Sequence, residues 1–187
     1  MVRFSVENVI EKIGIKRNLT IRREIVLKRK SPTSPKVENV MERSRVIFKL
    51  SQDDDGYPPF SREGIWAIRI AGDIWRVDNI PFFSSEVSNC DSISVSKGMN
   101  EALFFKSVVS RGGHSTIRIF FNEDSKIPEI RASLKNLGCS SEGTNIKRLI
   151  AVDVPPDVDM RRVEGYLNEL KENDLIDVEH GLIQHSS

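Results

Sequence analysis

The stretch STIRIFFNEDSKIPEIRASLKNLGCSSEGTNIKRLIAVDV, residues 115–154, contains the change of pattern that decides the fold. It opens with STIRIFF, a run rich in β-branched and aromatic residues, which predicts a strand. Ser125 is placed to cap a helix whose apolar side chains share one face: Ile127, Ile130, Leu134 and Leu137. Gly138 suits the end of that helix because glycine readily adopts a left-handed conformation. The stretch therefore predicts strands that alternate with helices.

The chain beyond this stretch continues the alternation. CSSE predicts a short edge strand, and IKRLIAVDV predicts a long strand that Pro155 and Pro156 end. Asp157 or Asp159 is then expected to cap a second helix. That helix turns several side chains inward: Val163, Tyr166, Leu167 and Leu170. With IDVEHGLIQ as a last strand, the order β-α-β-β-α-β over residues 115–187 predicts a ferredoxin-like unit.

Residues 41–114 show the period of two that is typical of strands. RVIFKL predicts one strand, and IWAIRIAGDIWRVDN predicts a hairpin that turns at Gly72-Asp73. The first arm of this hairpin places three apolar residues on one face: Trp66, Ile68 and Ile70. A second hairpin turns around residues 97–100. We expect an antiparallel β-meander or partial barrel here, and therefore an α+β protein.

The first 40 residues form a basic extension and linker. They hold ten Lys or Arg and four Glu, a balance of 10 − 4 = +6, whereas the whole chain carries +1. Its cations, which can neutralise phosphates, suggest a nucleic-acid-associated regulator as an alternative function: Arg22, Arg23, Lys28, Arg29 and Lys30.

Other global features exclude several classes of protein. No apolar run approaches the roughly 18 residues of a membrane-spanning helix, and the N-terminus lacks an uninterrupted apolar signal sequence. Cys90 and Cys139 lie far apart without a CxxC spacing, which argues against zinc or a disulfide framework. We expect a cytoplasmic protein with no membrane partner, no metal and no cofactor.

The segment RGGHSTIR, residues 111–118, is the strongest candidate for a site. His114 beside Ser115 suggests nucleophilic catalysis, but adjacent residues on a strand point to opposite faces. His114 is therefore poorly placed to take a proton from Ser115. A Gly-Gly turn entering a strand is favoured over partner contact, and both over an enzyme that uses His114, Ser115 and Arg118 with Asp91 or Asn79 nearby.

Aromatic residues raise a second question. Trp66, Trp75, Phe82 and Phe83 could form a platform for stacking bases, but the predicted central strands lack the aromatic signature of RNA-recognition sheets. Packing in the core is the expectation for these side chains.

Several blocks together resemble one bacterial family of domains of unknown function, the four-two-six-five family. The blocks are DDDGYPPFSREGIWA, RVDNIPFF, CDSISV, GGHSTIRIFF and LIAVDVPPDVDMRRVEGYL. The resemblance covers about residues 45–182. One departure is Cys90, where the pattern of the family prefers glycine before Asp91, and another lies at Arg111-Gly112.

The resemblance assigns no activity, but small bacterial proteins of this kind are often immunity proteins that inhibit a toxin. We therefore expect a non-enzymatic binding protein whose partner is a protein, such as a cognate toxin domain. The acidic C-terminal half is one expected contact surface. The expected contact residues are His114, Ser115, Arg118, Trp66 and Asn79.

Overall fold

The structure is a computed structural model that describes residues 41–186. Within this range the chain forms an α+β fold of nine strands and two helices, arranged around two sheets. The predicted basic extension of residues 1–40 lies outside the described residues. Neither described helix is long and apolar enough to cross a lipid bilayer.

The first five strands form a closed barrel with a meander order. Their bounds are β1 Arg43–Lys49, β2 Arg62–Ala71, β3 Ile74–Val77, β4 Ser92–Lys97 and β5 Leu103–Ser110. Consecutive strands pair antiparallel, and a short parallel pairing of β1 with β5 closes the barrel. The hairpin turn at Gly72-Asp73 is confirmed, and so is the turn after Lys97.

Alternate residues fill the interior of the barrel because successive strand residues point to opposite faces. Val46 and Phe48 on β1, and Ile65 and Ala67 on β2, are fully buried. Trp75 joins this core, as expected. Trp66 does not, because it lies on the opposite face of β2 and is 36% exposed. The expectation that Trp66 packs in the core is therefore wrong.

The last four strands form an antiparallel sheet in the order β7-β8-β6-β9. Their bounds are β6 Ser115–Phe121, β7 Ser140–Gly143, β8 Leu149–Val154 and β9 Ile176–His180. Helix α1, Ile127–Asn136, connects β6 to β7, and helix α2, Met160–Glu172, connects β8 to β9.

The helix ends agree only in part with the sequence. Asp159 caps α2 by accepting a hydrogen bond from the Arg161 N–H, and Gly138 follows α1 with a φ of +95°. Ser125 is not the cap of α1, because a 3₁₀ turn over Asp124–Lys126 precedes the helix and Lys126 holds the cap position.

Strand β6 is buried on both faces along its whole length. Ile117 and Ile119 pack in a core with residues of both helices, such as Leu134 and Leu167. On the other face, Phe120 packs with Phe82 and Phe83 of the loop between β3 and β4. The loop of residues 78–91 thus lies between the barrel and the second sheet, next to the residues that the sequence singled out.

Candidate functional site: buried polar clusters and an exposed tryptophan

The structure divides the predicted contact residues between two places. His114, Ser115 and Arg118 lie at the start of β6, between the barrel and the second sheet. Trp66 and Asn79 lie together on the outside of the barrel. The cations of the nucleic-acid alternative, Arg22 to Lys30, lie outside the described residues, so that alternative stays a prediction.

His114 is held by a carboxylate of the neighbouring strand. Its Nδ1 lies 2.9 Å and 3.1 Å from the two carboxylate oxygens of Asp153, a residue that is 3% exposed. Asn89 donates to the same carboxylate at 3.3 Å. Because a carboxylate accepts hydrogen bonds, it favours a proton on Nδ1 of His114. The Asp153 carboxylate thereby joins both His114, next to β6, and the loop of residues 78–91 to β8.

Ser115 pairs with His185 and not with its neighbour His114. Its Oγ lies 2.7 Å from His185 Nδ1, and His185 Nε2 donates to the Pro155 carbonyl at 3.0 Å. The neutral ring that fits these contacts carries its proton on Nε2, so the serine hydroxyl donates to Nδ1. The backbone N–H groups of Gln184 and His185 also donate to the same Oγ, at 2.8 Å and 3.2 Å.

The Ser115 hydroxyl has no hydrogen-bonding site left for another group. A serine hydroxyl offers one donor and two acceptor sites, and the Ser115 contacts use all three. The residue is fully buried. These contacts connect the segment of residues 182–185 to the start of β6. Two backbone hydrogen bonds add to the connection: the Gly181 N–H donates to the Thr116 carbonyl, and the Thr116 N–H donates to the Leu182 carbonyl.

Arg118 forms a buried ion pair with Glu179, its direct partner on β9. Its Nη2 donates to the Ser84 carbonyl at 2.9 Å, and the Tyr57 hydroxyl donates to the other Glu179 oxygen at 2.7 Å. Arg118 Nε is buried and has no hydrogen-bond partner among the described residues. Burial, with the nearby Glu179 charge, raises the pKa of Tyr57 well above its usual range. Arg118 is therefore a structural cation rather than a surface contact.

A cavity of about 210 Å³ lies above this ion pair. Residues of the barrel, the loop and β9 line it, including Lys49, Tyr57, Glu86 and His180. The two charged residues of the ion pair, Arg118 and Glu179, line this cavity and neutralise each other, so the cavity by itself indicates no particular chemistry.

Asp91 joins three parts of the chain. Its carboxylate is fully buried and accepts hydrogen bonds from the Ser88 N–H, the Gly112 N–H and the Gln184 side chain, at 3.0, 2.7 and 2.9 Å. It also forms a salt bridge with Arg111 at 2.8 Å. Residues 111–114 thus form an irregular connection between β5 and β6 that the Asp91 carboxylate holds, and of the two glycines only Gly113 has a positive φ, of +80°.

Glu63 plays a similar part for the loop. Its two carboxylate oxygens accept from three successive backbone N–H groups, those of Phe82, Phe83 and Ser84, at 2.6, 3.1 and 2.7 Å. The sequence places Glu63 on a strand but carries no sign of this role. For the ion pair of Glu179 the sequence offered a clearer sign. Glu179 lies on the last strand of the predicted ferredoxin-like unit, and Arg118 lies on the first strand of the same unit.

Trp66 is the contrasting case, because its side chain remains at the surface. The guanidinium carbons of Arg43 and Arg45 lie 4.9 Å and 5.3 Å from its ring centroid, distances typical of cation–π contacts. Asn79 accepts from the Trp66 backbone N–H at 2.8 Å, and Asp78 forms a salt bridge with Arg43 at 2.6 Å. Asn79 therefore supports β2 through its side-chain oxygen.

No group of three or more His, Cys, Asp or Glu residues with the geometry to hold a metal ion occurs within residues 41–186. Burial raises the pKa of the Cys90 thiol, and it raises that of Cys139 to about 11. Neither thiol is thereby favoured as a nucleophile.

Comparison with known proteins places the chain in a family without an assigned activity. A hypothetical protein from Neisseria gonorrhoeae, known from a crystal structure, has a similar fold, with a TM-score of 0.63 and 16% sequence identity. The similarity covers 79% of this chain and 98% of that one. No curated protein matches the sequence. The family model described as "Domain of unknown function (DUF4265)" matches residues 63–178, more than half of the chain, and the protein therefore belongs to this family.

Proposed function

We propose that the protein is a non-enzymatic binding protein whose partner is another protein. The observation that carries this proposal is the contrast between Ser115 and Trp66. A nucleophile must reach its substrate, yet the Ser115 hydroxyl is fully buried and bonded at all three of its sites. Trp66 lies at the surface between two arginines, and tryptophan and arginine are enriched among residues that dominate binding energies.

A bacterial immunity protein that neutralises a toxin in the cytoplasm is the specific form of this proposal. Such an inhibitor needs a rigid scaffold and an exposed recognition surface, but no reaction chemistry. The buried clusters around Asp91, Asp153 and Glu179 support the first requirement, because each ties together segments distant in sequence. The exposed indole of Trp66 supports the second.

We also infer that the second sheet and its helices form a ferredoxin-like unit. The strand order β7-β8-β6-β9, with every neighbouring pair antiparallel, supports this assignment. Apolar residues of both helices share one core with the sheet, which agrees with a two-layer arrangement. This architecture leaves the other face of the sheet for the loop of residues 78–91.

Co-expression with a toxin encoded beside the gene tests the proposed function. Each neighbouring gene with the features of a secreted toxin would be expressed from an inducible promoter in a susceptible bacterium, with and without this protein. We expect the protein to restore growth and to co-purify with the toxin domain as a stable complex. Failure to protect against every neighbouring toxin would contradict the immunity function.

A variant of His114 separates inhibition by binding from an enzymatic activity. His114→Gln retains an N–H donor that can face Asp153, but it removes the proton-accepting nitrogen of an imidazole. We expect this variant to protect cells as well as the wild-type protein does. Wild-type protection that is lost in a folded His114→Gln variant would instead favour a reaction that uses His114.

A further inference from the structure

The outward face of strand β2 carries an apolar stripe. Trp66 and Ile68 alternate with the inward residues Ile65 and Ala67, so both point away from the barrel, and Ile70 follows them at a shift in the register between β2 and β3. Trp66 is 36% exposed, Ile70 is 55% exposed and Ile68 is half-buried. The sequence predicted that these three side chains share a face; in the structure Trp66 and Ile68 do, and all three lie at least partly at the surface.

Arginines flank this stripe on both sides. On β1, Arg43 is paired with Ile68 and Arg45 with Trp66, and on β3, Arg76 is paired with Ile68. All three arginines are exposed. Arg43 forms a salt bridge with Asp78, whereas Arg45 and Arg76 form none with any residue of the described range. The face defined by Arg43, Arg45, Trp66, Ile68 and Arg76, here called the arginine-flanked face, therefore carries an excess of positive charge.

We infer that the arginine-flanked face docks an acidic protein surface, in which apolar side chains lie between carboxylates. This inference rests on the proposed function and names the surface and the chemistry of its partner. An apolar centre with a charged rim is the usual anatomy of a protein interface. Carboxylates opposite Arg45 and Arg76 would supply the ion-pair partners that these arginines do not find within residues 41–186, and guanidinium groups bind carboxylates in a bidentate manner.

The same surface is less suited to a nucleic acid. Proteins that bind single strands stack successive bases on several aromatic rings with open faces. Here one indole stands beside two isoleucines, and guanidinium groups already lie within 4.9 Å and 5.3 Å of its centroid. Aliphatic side chains such as Ile68 and Ile70 match apolar side chains of a protein better than they match phosphate groups.

A phage-displayed library of random peptides, selected against the full-length protein, tests the inference with defined probes. Peptides enriched on the wild-type protein would be synthesised and titrated against Arg45→Glu and Trp66→Ala. Two matched controls make the same kinds of change elsewhere, Lys171→Glu on α2 and Met99→Ala, where the methionine is 90% exposed. Circular dichroism and thermal midpoints would show that all four variants are folded.

We expect the enriched peptides to combine Asp or Glu with apolar residues. We also expect their affinity to fall about tenfold or more in Arg45→Glu and Trp66→Ala, and to stay unchanged in the two controls. Enriched peptides without acidic residues, or peptides that bind all variants equally, would overturn the inference. So would labelled oligo-dT that binds wild-type protein more tightly than the peptides do and is lost in Arg45→Glu.

The co-expression assay separates this inference from the proposed function. Arg45→Glu and Trp66→Ala would be tested there beside the wild-type protein. Protection by the wild-type protein that persists in both variants would overturn the arginine-flanked face while the immunity function stands. Loss of protection in both variants, with protection retained in Lys171→Glu and Met99→Ala, would support the inference.

Discussion

Gly112 lies against the backbone of Cys90, so closely that a Cβ atom on Gly112 would stand 2.7 Å from the Cys90 carbonyl carbon and 2.8 Å from its oxygen. The approach is fixed by Asp91, which follows Cys90 and accepts the Gly112 N–H at 2.7 Å. Cys90 itself adopts a φ of +64°, a conformation that favours glycine. Cys90 and Gly112, which are 22 positions apart in the sequence, thus meet in space.

Gly112→Ala is expected to lower the free energy of unfolding by about 1–3 kcal/mol, because the added methyl group meets backbone atoms that cannot move away easily. Urea denaturation measures the change. Gly165→Ala is the matched control, since its Cβ would meet nothing within 4 Å and alanine favours the helix it lies in. Equal denaturation midpoints for Gly112→Ala and the wild-type protein would contradict the close approach.

Cys90→Gly is expected to raise the free energy of unfolding by about 0.5 kcal/mol, because relief of left-handed strain outweighs the greater freedom of glycine in the unfolded chain. Cys90→Ala keeps the strain and removes only the sulfur, so it should bring no gain. Thermal or urea denaturation of the three proteins in parallel checks the order. The same stability for the alanine and glycine variants would show that backbone strain is not the cause.

Arg118→Met is expected to destabilise the protein by about 3–5 kcal/mol, because it leaves the Glu179 carboxylate buried without its cation. The double variant Arg118→Met/Glu179→Leu removes both charges and should be more stable than the single variant. A double-mutant cycle of urea denaturation, completed with Glu179→Leu, measures the coupling between the two residues. Additive effects of the two substitutions would contradict the ion pair.

Alkaline solutions are expected to destabilise the protein in part through Cys139. Burial raises the pKa of this thiol from 9.0 to about 11, so the unfolded chain loses the proton at lower pH than the folded protein does. This contribution to stability is full below about pH 9 and falls between about pH 9 and 11, with a slope of up to about 1.4 kcal/mol per pH unit.

The Cys139→Ala variant isolates this contribution. It should be less stable than the wild-type protein at neutral pH, because it leaves a gap in the core, but its stability should fall less steeply above pH 9. The raised pKa of Tyr57 acts in the same direction in both proteins, so only the difference between their pH profiles is informative. Parallel profiles would contradict a buried, protonated thiol.

Local periodicity was sufficient to predict most elements of the fold, but not which face of β2 is buried. Both faces of that strand are apolar, since Ile65 and Ala67 alternate with Trp66 and Ile68. The closed barrel accepts the smaller pair inside, where both residues are fully buried. Only the tertiary structure, which limits the volume of the barrel, decides between the two faces.

Contacts between distant segments could not be predicted, because periodicity carries no information about them. Ser115 and His185 are separated by 70 residues, and Asp91 and Gln184 by 93. Alternation on the strand correctly indicated that His114 would not serve Ser115. It offered no means of finding the histidine that does contact the serine, nor the carboxylate of Asp153 that holds His114.

The burial of β6 on both faces has a consequence for how the protein unfolds. Ile117, Ile119 and Phe121 belong to the core that the helices share, whereas Phe120 and Arg118 contact the loop of residues 78–91. Neither half can open without uncovering part of this strand. We expect the described part of the chain to melt in a single cooperative transition, with the amide protons of β6 among the last to exchange with solvent.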